Sequence, residues 1–343
     1  MWELVLALVV LVAFVFLLTN GMNDASAVVA TMIACGAATP LQAVLWAASV
    51  GLVGAIFSGA AVAQTIIGLL DVPVSHQLLL VLLAGLTAAM LWNLFTWKMG
   101  IPSSSTHSLV GGLVGGAWAA YGASAVVWGW NELYMGNAEL VGVAKIVASL
   151  IISPLLGFLV AFIVQVILSL AFRRATFWVN KPLKRSQWLL SGILAYGHGA
   201  NDAQKMVGII SLALLASGVQ SSVEGVPTWV KVACGLIMFF GTLFGGWSIM
   251  KTLGTGIFTL RPLHSFNSQF SAGASVALAT FVGAPVSTTH IVSGTVIGAG
   301  AADNYRMVNW EVGKHMLVAW CVTIPASALC AAGVFRLLQW LTR

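Results

Sequence analysis

Apolar runs of membrane-spanning length fill most of the chain, at 2–19, 41–63, 78–99, 139–172, 187–218, 229–250, 266–282 and 310–340. A helix needs about 20 mainly apolar residues to cross a bilayer, so the pattern predicts about 8–12 membrane segments. Nearly all are expected to be helical, because lipid offers no partner to an open backbone group. Pro154 and Pro325 fall inside two of the longer runs, where kinks or breaks are expected. The first run follows Met-Trp-Glu and has neither the basic start nor the small-residue cleavage site of a signal peptide. It reads as a retained span with its acidic start outside.

Four polar stretches interrupt the pattern. They are Asn20-Gly-Met-Asn-Asp-Ala25, Gly100-Ile-Pro-Ser-Ser-Ser-Thr-His107, Gly197-His-Gly-Ala-Asn-Asp-Ala-Gln-Lys205 and Gly283-Ala-Pro-Val-Ser-Thr-Thr-His290. They form two pairs. Asn23-Asp24-Ala25 matches Asn201-Asp202-Ala203, and Pro102-Ser-Ser-Ser-Thr-His107 matches Pro285-Val-Ser-Thr-Thr-His290. Asn23 precedes His107 by 84 residues and Asn201 precedes His290 by 89. The same two motifs in the same order make the chain a repeat: 1–172, a linker at 173–186, and 187–343. With the first half starting outside and the linker inside, an odd number of crossings separates the halves. The expected fold is an all-α polytopic membrane protein of two inverted repeats with broken helices.

Composition narrows the class. Hydrophobic residues make up 59% of the chain and charged residues 7%, with a mean hydropathy of +0.98. Fifteen Lys+Arg and nine Asp+Glu cannot cover a soluble domain of 343 residues. Soluble-enzyme, disordered, fibrous and nucleic-acid-binding readings are excluded. The net charge of +6 has another source: Arg173, Arg174, Lys181, Lys184 and Arg185 sit together between the halves, as in a cytoplasmic loop under the positive-inside rule. Cys35, Cys234, Cys321 and Cys330 have no metal-site spacing and read as small buried side chains. The 14 Trp suit interfacial belts.

The hydroxyl motifs look like helix starts at membrane depth. Proline suits the first positions of a helix, and Ser or Thr caps its free N–H groups. A helix N-terminus carries about half a positive charge, so it binds an oxyanion without a cationic side chain. Two such ends meeting near the midplane would present Ser103, Ser104, Ser105, Thr106, Ser287, Thr288 and Thr289 to one tetrahedral anion. The alternative is that these hydroxyls only cap helices and join them; the duplication argues against it.

Asp24 and Asp202 are the two acidic residues inside apolar segments; the other seven fall at ends and loops. A carboxylate at that depth is costly and functional by default. Two of them beside an anion repel it unless cations intervene. Asn20, Asn23, Asp24, Asn201 and Asp202, helped by unwound carbonyls, are hard oxygen ligands suited to Na⁺. The competing reading of Asp202 is an ion pair with Lys205. Gln204 is placed to reach the anion; Ser26 and Ala27 stand at the corresponding places of the first copy. His107 and His290 either orient the helix starts or carry a proton. Together these features describe a symporter.

On these residues the chain resembles the inorganic phosphate transporter (PiT) family, joined by Arg261-Pro-Leu-His264. The resemblance covers both halves. It implies a cation-coupled phosphate symporter of inverted repeats with two re-entrant helical hairpins, commonly a homodimer, in the cell membrane. Phosphate and Na⁺ are then bound by the hydroxyl motifs and the Asn-Asp pairs, with no resident cofactor, and H⁺ is the alternative coupling ion. Met22 and Ser26 depart from the residues frequent in the family. Sulfate is the alternative anion: hydrogen phosphate has a P–OH that needs an acceptor, and sulfate has none. An intramembrane hydrolase has no use for two equivalent Ser/Thr-His copies, and a passive anion channel has none for paired intramembrane carboxylates.

Overall fold

The computed structural model describes residues 2–130, 140–221 and 226–342. Glu132, Glu139 and Glu224, expected at segment ends, lie outside them. Twelve α-helices make up the described chain. The first half holds α1 (Trp2–Ala34), α2 (Pro40–Phe57), α3 (Ala61–Ile67), α4 (His76–Met99), α5 (Ser105–Tyr121) and α6 (Gly142–Ala171). The second holds α7 (Asn180–Ala216), α8 (Thr228–Phe244), α9 (Trp247–Lys251), α10 (Pro262–Phe281), α11 (Thr288–Asn304) and α12 (Trp310–Leu341). Helices α1, α2, α4, α6 and α12 are long and apolar enough to cross a membrane, and α8 with α9, bent by 64° at Gly245–Gly246, makes a sixth.

The motifs at Asn20–Ala25 and Gly197–Lys205 are not breaks. Helices α1 and α7 run straight through them. Their glycines serve close approach instead of unwinding. A Cβ at Gly21 would lie 2.9 Å from the Met238 carbonyl oxygen on α8, and one at Gly199 would lie 2.1 Å from that of Gly51 on α2. The helix bonds are kept, and the absent side chains let backbones cross at contact distance. Pro154 and Pro325 likewise sit inside unbroken helices. Helix α7 begins at Asn180, so Lys181, Lys184 and Arg185 occupy its first turns. Cys35 and Cys234 are buried, but Cys321 and Cys330 face outward from α12. An outer face turned to lipid carries no penalty for an apolar thiol.

The halves exchange partners. Helix α5 of the first packs on α12 of the second, and α11 of the second packs on α6 of the first. The crossings repeat in detail. A Cβ at Gly115 would meet Ala328 O at 2.1 Å and one at Gly111 would meet Ile324 O at 2.5 Å; a Cβ at Gly298 would meet Phe158 O at 2.3 Å and one at Gly294 would meet Pro154 O at 2.3 Å.

Two apolar clusters enclose a polar layer. Helix α1 enters from one cluster at Phe16 and Leu17, passes through Thr19–Ser26 and reaches the other at Ala27 and Val28. Helix α7 goes the opposite way, from Leu194 and Ala195 in the second cluster to Met206 and Val207 in the first. Helix α5 runs from the polar layer into the first cluster at Leu109, and α11 into the second at Ile291. Their N-termini therefore meet at the polar layer from opposite sides.

Candidate functional site

The two helix starts are built alike. Ser104 caps α5, its Oγ accepting from the N–H of His107 at 3.2 Å, and Ser287 caps α11, its Oγ accepting from the N–H of His290 at 3.3 Å. Pro102 and Pro285 lie two residues before the caps, in the loops, instead of in the first turn. Each stops the chain from becoming helical earlier, because the residue before a proline avoids the helical region.

The hydroxyls then divide. Ser103 exchanges a hydrogen bond of 3.1 Å with Thr323 on α12, and Ser104 and Ser287 are spent on capping. Ser105, Thr106, Thr288 and Thr289 turn inward. Asp24 joins the two motifs: Ser105 donates to its Oδ2 at 2.9 Å and Thr289 to its Oδ1. Helix α1 thus holds α5 and α11 together through a single buried carboxylate, 2% exposed.

Asp202 has different company. Lys205 Nζ donates to its Oδ1 at 2.6 Å, Asn20 Nδ2 donates to its Oδ2 at 3.0 Å, and His198 Nδ1 lies 3.3 Å from the same oxygen. Lys205 also donates to Thr106 Oγ1 at 2.6 Å and to the Val286 carbonyl at 3.1 Å. His198 Nδ1 is 3.3 Å from Thr288 Oγ1. So the structure forms the ion pair between Asp202 and Lys205, and through it joins α7 to both motifs.

Burial of these groups demands partners, because an unpaired polar atom away from water costs about 1–3 kcal/mol. Asn20 Oδ1, Asn23 Oδ1 and Asn201 Oδ1 are buried and accept no hydrogen bond. Their amide nitrogens are engaged: Asn23 Nδ2 donates to Asn93 O at 3.4 Å and Asn201 Nδ2 to Ala284 O at 3.0 Å. Nitrogens used and oxygens left over is the orientation a cation site requires.

Three expected side chains make other contacts. Gln204 Oε1 accepts from Val62 N–H at 2.8 Å, which caps the short α3. Ala60, the residue preceding α3, has no side-chain oxygen to do so. His107 and His290 meet edge to face with ring centroids 4.5 Å apart, and Trp320 stacks on His290 at 3.8 Å. Three further residues brace the site. Asn93 on α4 receives Ser108 Oγ at 2.9 Å, Thr323 on α12 partners Ser103, and Ser26 donates to Gly246 O at 2.8 Å, seating the α8–α9 bend on α1. A lone amide in the apolar run Leu91–Phe95 was a readable signal for Asn93.

Comparison with known proteins gives one answer. A "Phosphate transporter family" model matches twice, at residues 20–180 and 173–331. A "Probable low-affinity inorganic phosphate transporter" of Bacillus subtilis (strain 168) is 38% identical over 335 residues, 97% of this chain and 96% of that one. A protein of the same description from Rhizobium meliloti (strain 1021) is 38% identical over 323 residues, 94% of this chain and 92% of that one. A solved structure, "The sodium-dependent phosphate transporter", superposes with a TM-score of 0.83 at 27% identity, covering 98% of this chain and 99% of its own. This chain, a multi-pass protein of the cell membrane and not an enzyme, belongs to the phosphate transporter family.

Proposed function

We propose that the protein is a secondary symporter that takes up inorganic phosphate with Na⁺. The anion is held by Ser105, Thr106, Thr288 and Thr289 at the facing N-termini of α5 and α11. Na⁺ is held at Asp24 with the oxygens of Asn20 and Asn23, and Asn201 offers a further oxygen on α7. The observation that carries this reading is the single Asp24 carboxylate accepting from both motifs.

The coupling is electrostatic. Like unit charges 4 Å apart repel by about 4 kcal/mol at an effective dielectric near 20. A phosphate entering beside a bare Asp24 meets repulsion of that order, and a Na⁺ on the carboxylate removes it. By linkage each solute then raises the other's affinity by about 10³. The opposed passage of α1 and α7 through the polar layer, and the exchange of partners between halves, support inverted repeats 1–172 and 187–343 joined at 173–186. The α4–α5 and α10–α11 pairs are the re-entrant hairpins of this arrangement. At 17 residues each, α5 and α11 are short for a crossing.

Labelled phosphate uptake into proteoliposomes tests this. Replacing Na⁺ by choline at fixed pH is expected to abolish accumulation, and uptake unchanged by the replacement moves the coupling to H⁺. Arsenate, which shares the acid hydroxyl of phosphate, is expected to compete and sulfate to compete little. Stronger competition by sulfate reverses the choice of anion.

A further inference from the structure

The two Asn-Asp motifs are equivalent in sequence but not in charge. Asp24 and Asp202 correspond, as do Thr106 and Thr289, and Ser105 and Thr288. Asp24 takes hydrogen bonds directly from Ser105 and Thr289. Asp202 reaches the matching hydroxyls only through intermediaries: Lys205 stands between it and Thr106, and His198 between it and Thr288. At the place of Lys205 the first copy has Ala27, whose methyl group reaches nothing of the kind.

The Lys205 ammonium has three donors. All are used, on the Asp202 carboxylate, the Thr106 hydroxyl and the Val286 carbonyl. A carboxylate, a hydroxyl and a backbone carbonyl are the oxygen types that hold a hard monovalent cation. Lys205 is 2% exposed, so its charge is held by these three oxygens away from bulk solvent. Asp24 takes its hydrogen bonds from hydroxyls and forms no direct ion pair among the described residues.

We propose that Lys205 is a tethered cation occupying the second of two pseudo-equivalent cation sites, so that one Na⁺, at Asp24, accompanies each phosphate. This rests on the Na⁺-coupled reading above and adds a count to it. Lys205 then acts as a residue that sets stoichiometry: the repeat keeps two carboxylates for symmetry of structure and neutralises one of them permanently.

The test uses the full chain, purified and reconstituted, with ²²Na⁺ binding at saturating phosphate and the Na⁺ dependence of phosphate uptake as readouts. Wild type is expected to bind one Na⁺ per chain, with a Hill coefficient near one. Lys205→Ala, which copies Ala27, is expected to bind two, with a sigmoidal Na⁺ dependence. Lys205→Arg keeps the charge and is expected to stay at one. Asp202→Asn combined with Lys205→Ala removes both charges and is also expected to stay at one. Two Na⁺ in wild type overturns the tethered-cation assignment while leaving Na⁺ coupling intact, and this holds even where the alanine variant does not fold. One Na⁺ in a folded Lys205→Ala overturns it as well. Phosphate accumulation unaffected by choline overturns the coupling reading itself, and the assignment with it.

Discussion

Asp24→Asn is expected to lower Na⁺-driven phosphate accumulation by about two to three orders of magnitude while leaving the protein folded. The amide keeps the size of the carboxylate. Its oxygen can still accept from Ser105 or from Thr289, but its nitrogen must donate, so the other hydroxyl has to turn and accept, and a charge-assisted hydrogen bond becomes a neutral one. The difference between the two kinds of bond is about 1 kcal/mol, a modest loss for a protein of this size. The charge matters more: without it the roughly 4 kcal/mol of cation attraction that couples the solutes disappears. Uptake is measured in proteoliposomes with an imposed Na⁺ gradient, and protein integrity by size exclusion. A variant that accumulates phosphate within about tenfold of wild type removes Asp24 from the coupling site. Glu311→Gln, at an acidic side chain 68% exposed on the first turn of α12, is the matched control and is expected to change nothing.

Gly199→Ala is expected to cost both stability and transport. The added carbon would lie 2.1 Å from the Gly51 carbonyl oxygen and 2.7 Å from its carbon, both backbone atoms of α2. No rotamer relieves that clash, so the helices must part. Overpacking of this kind costs about 1–3 kcal/mol. Because Gly199 lies between His198 and Asn201, the shift is passed directly to Asp202 and its partners. Gly333→Ala on α12, where a Cβ would meet nothing within 4 Å, is expected to be neutral or slightly stabilising. The readouts are thermal unfolding in detergent and uptake. An apparent Tm for Gly199→Ala within about 1 °C of wild type contradicts the packing role.

Much of this arrangement was legible from residues alone. Duplication made the two serine-threonine motifs recognisable as partners, and rarity of charge made Asp24 and Asp202 conspicuous. What could not be read was how glycine is used. Gly21 and Gly199 beside polar residues look like helix breakers in a linear text, but whether a neighbouring backbone needs their missing side chains depends on contacts with α8 and α2, distant in sequence. The division of labour among the hydroxyls was hidden for the same reason. Nothing in Pro102–His107 distinguishes Ser104, which caps its own helix, from Ser105, which reaches Asp24. Gln204 stands two residues from Asp202 in sequence, yet residues two apart on a helix point in different directions, and this one faces α3. Asn93 lies outside both motifs, and it is its contacts with Asn23 and Ser108 that tie it to them.

The swapped partnership of α5 with α12 and of α11 with α6 bears on how the molecule is made. A ribosome delivers α5 to the translocon long before α12 exists. During that interval the glycine face around Gly111 and Gly115 has no backbone to lie against. The N-terminal half therefore waits in the bilayer as an unfinished assembly until α12 is threaded, and the native packing of α5 is sealed only then.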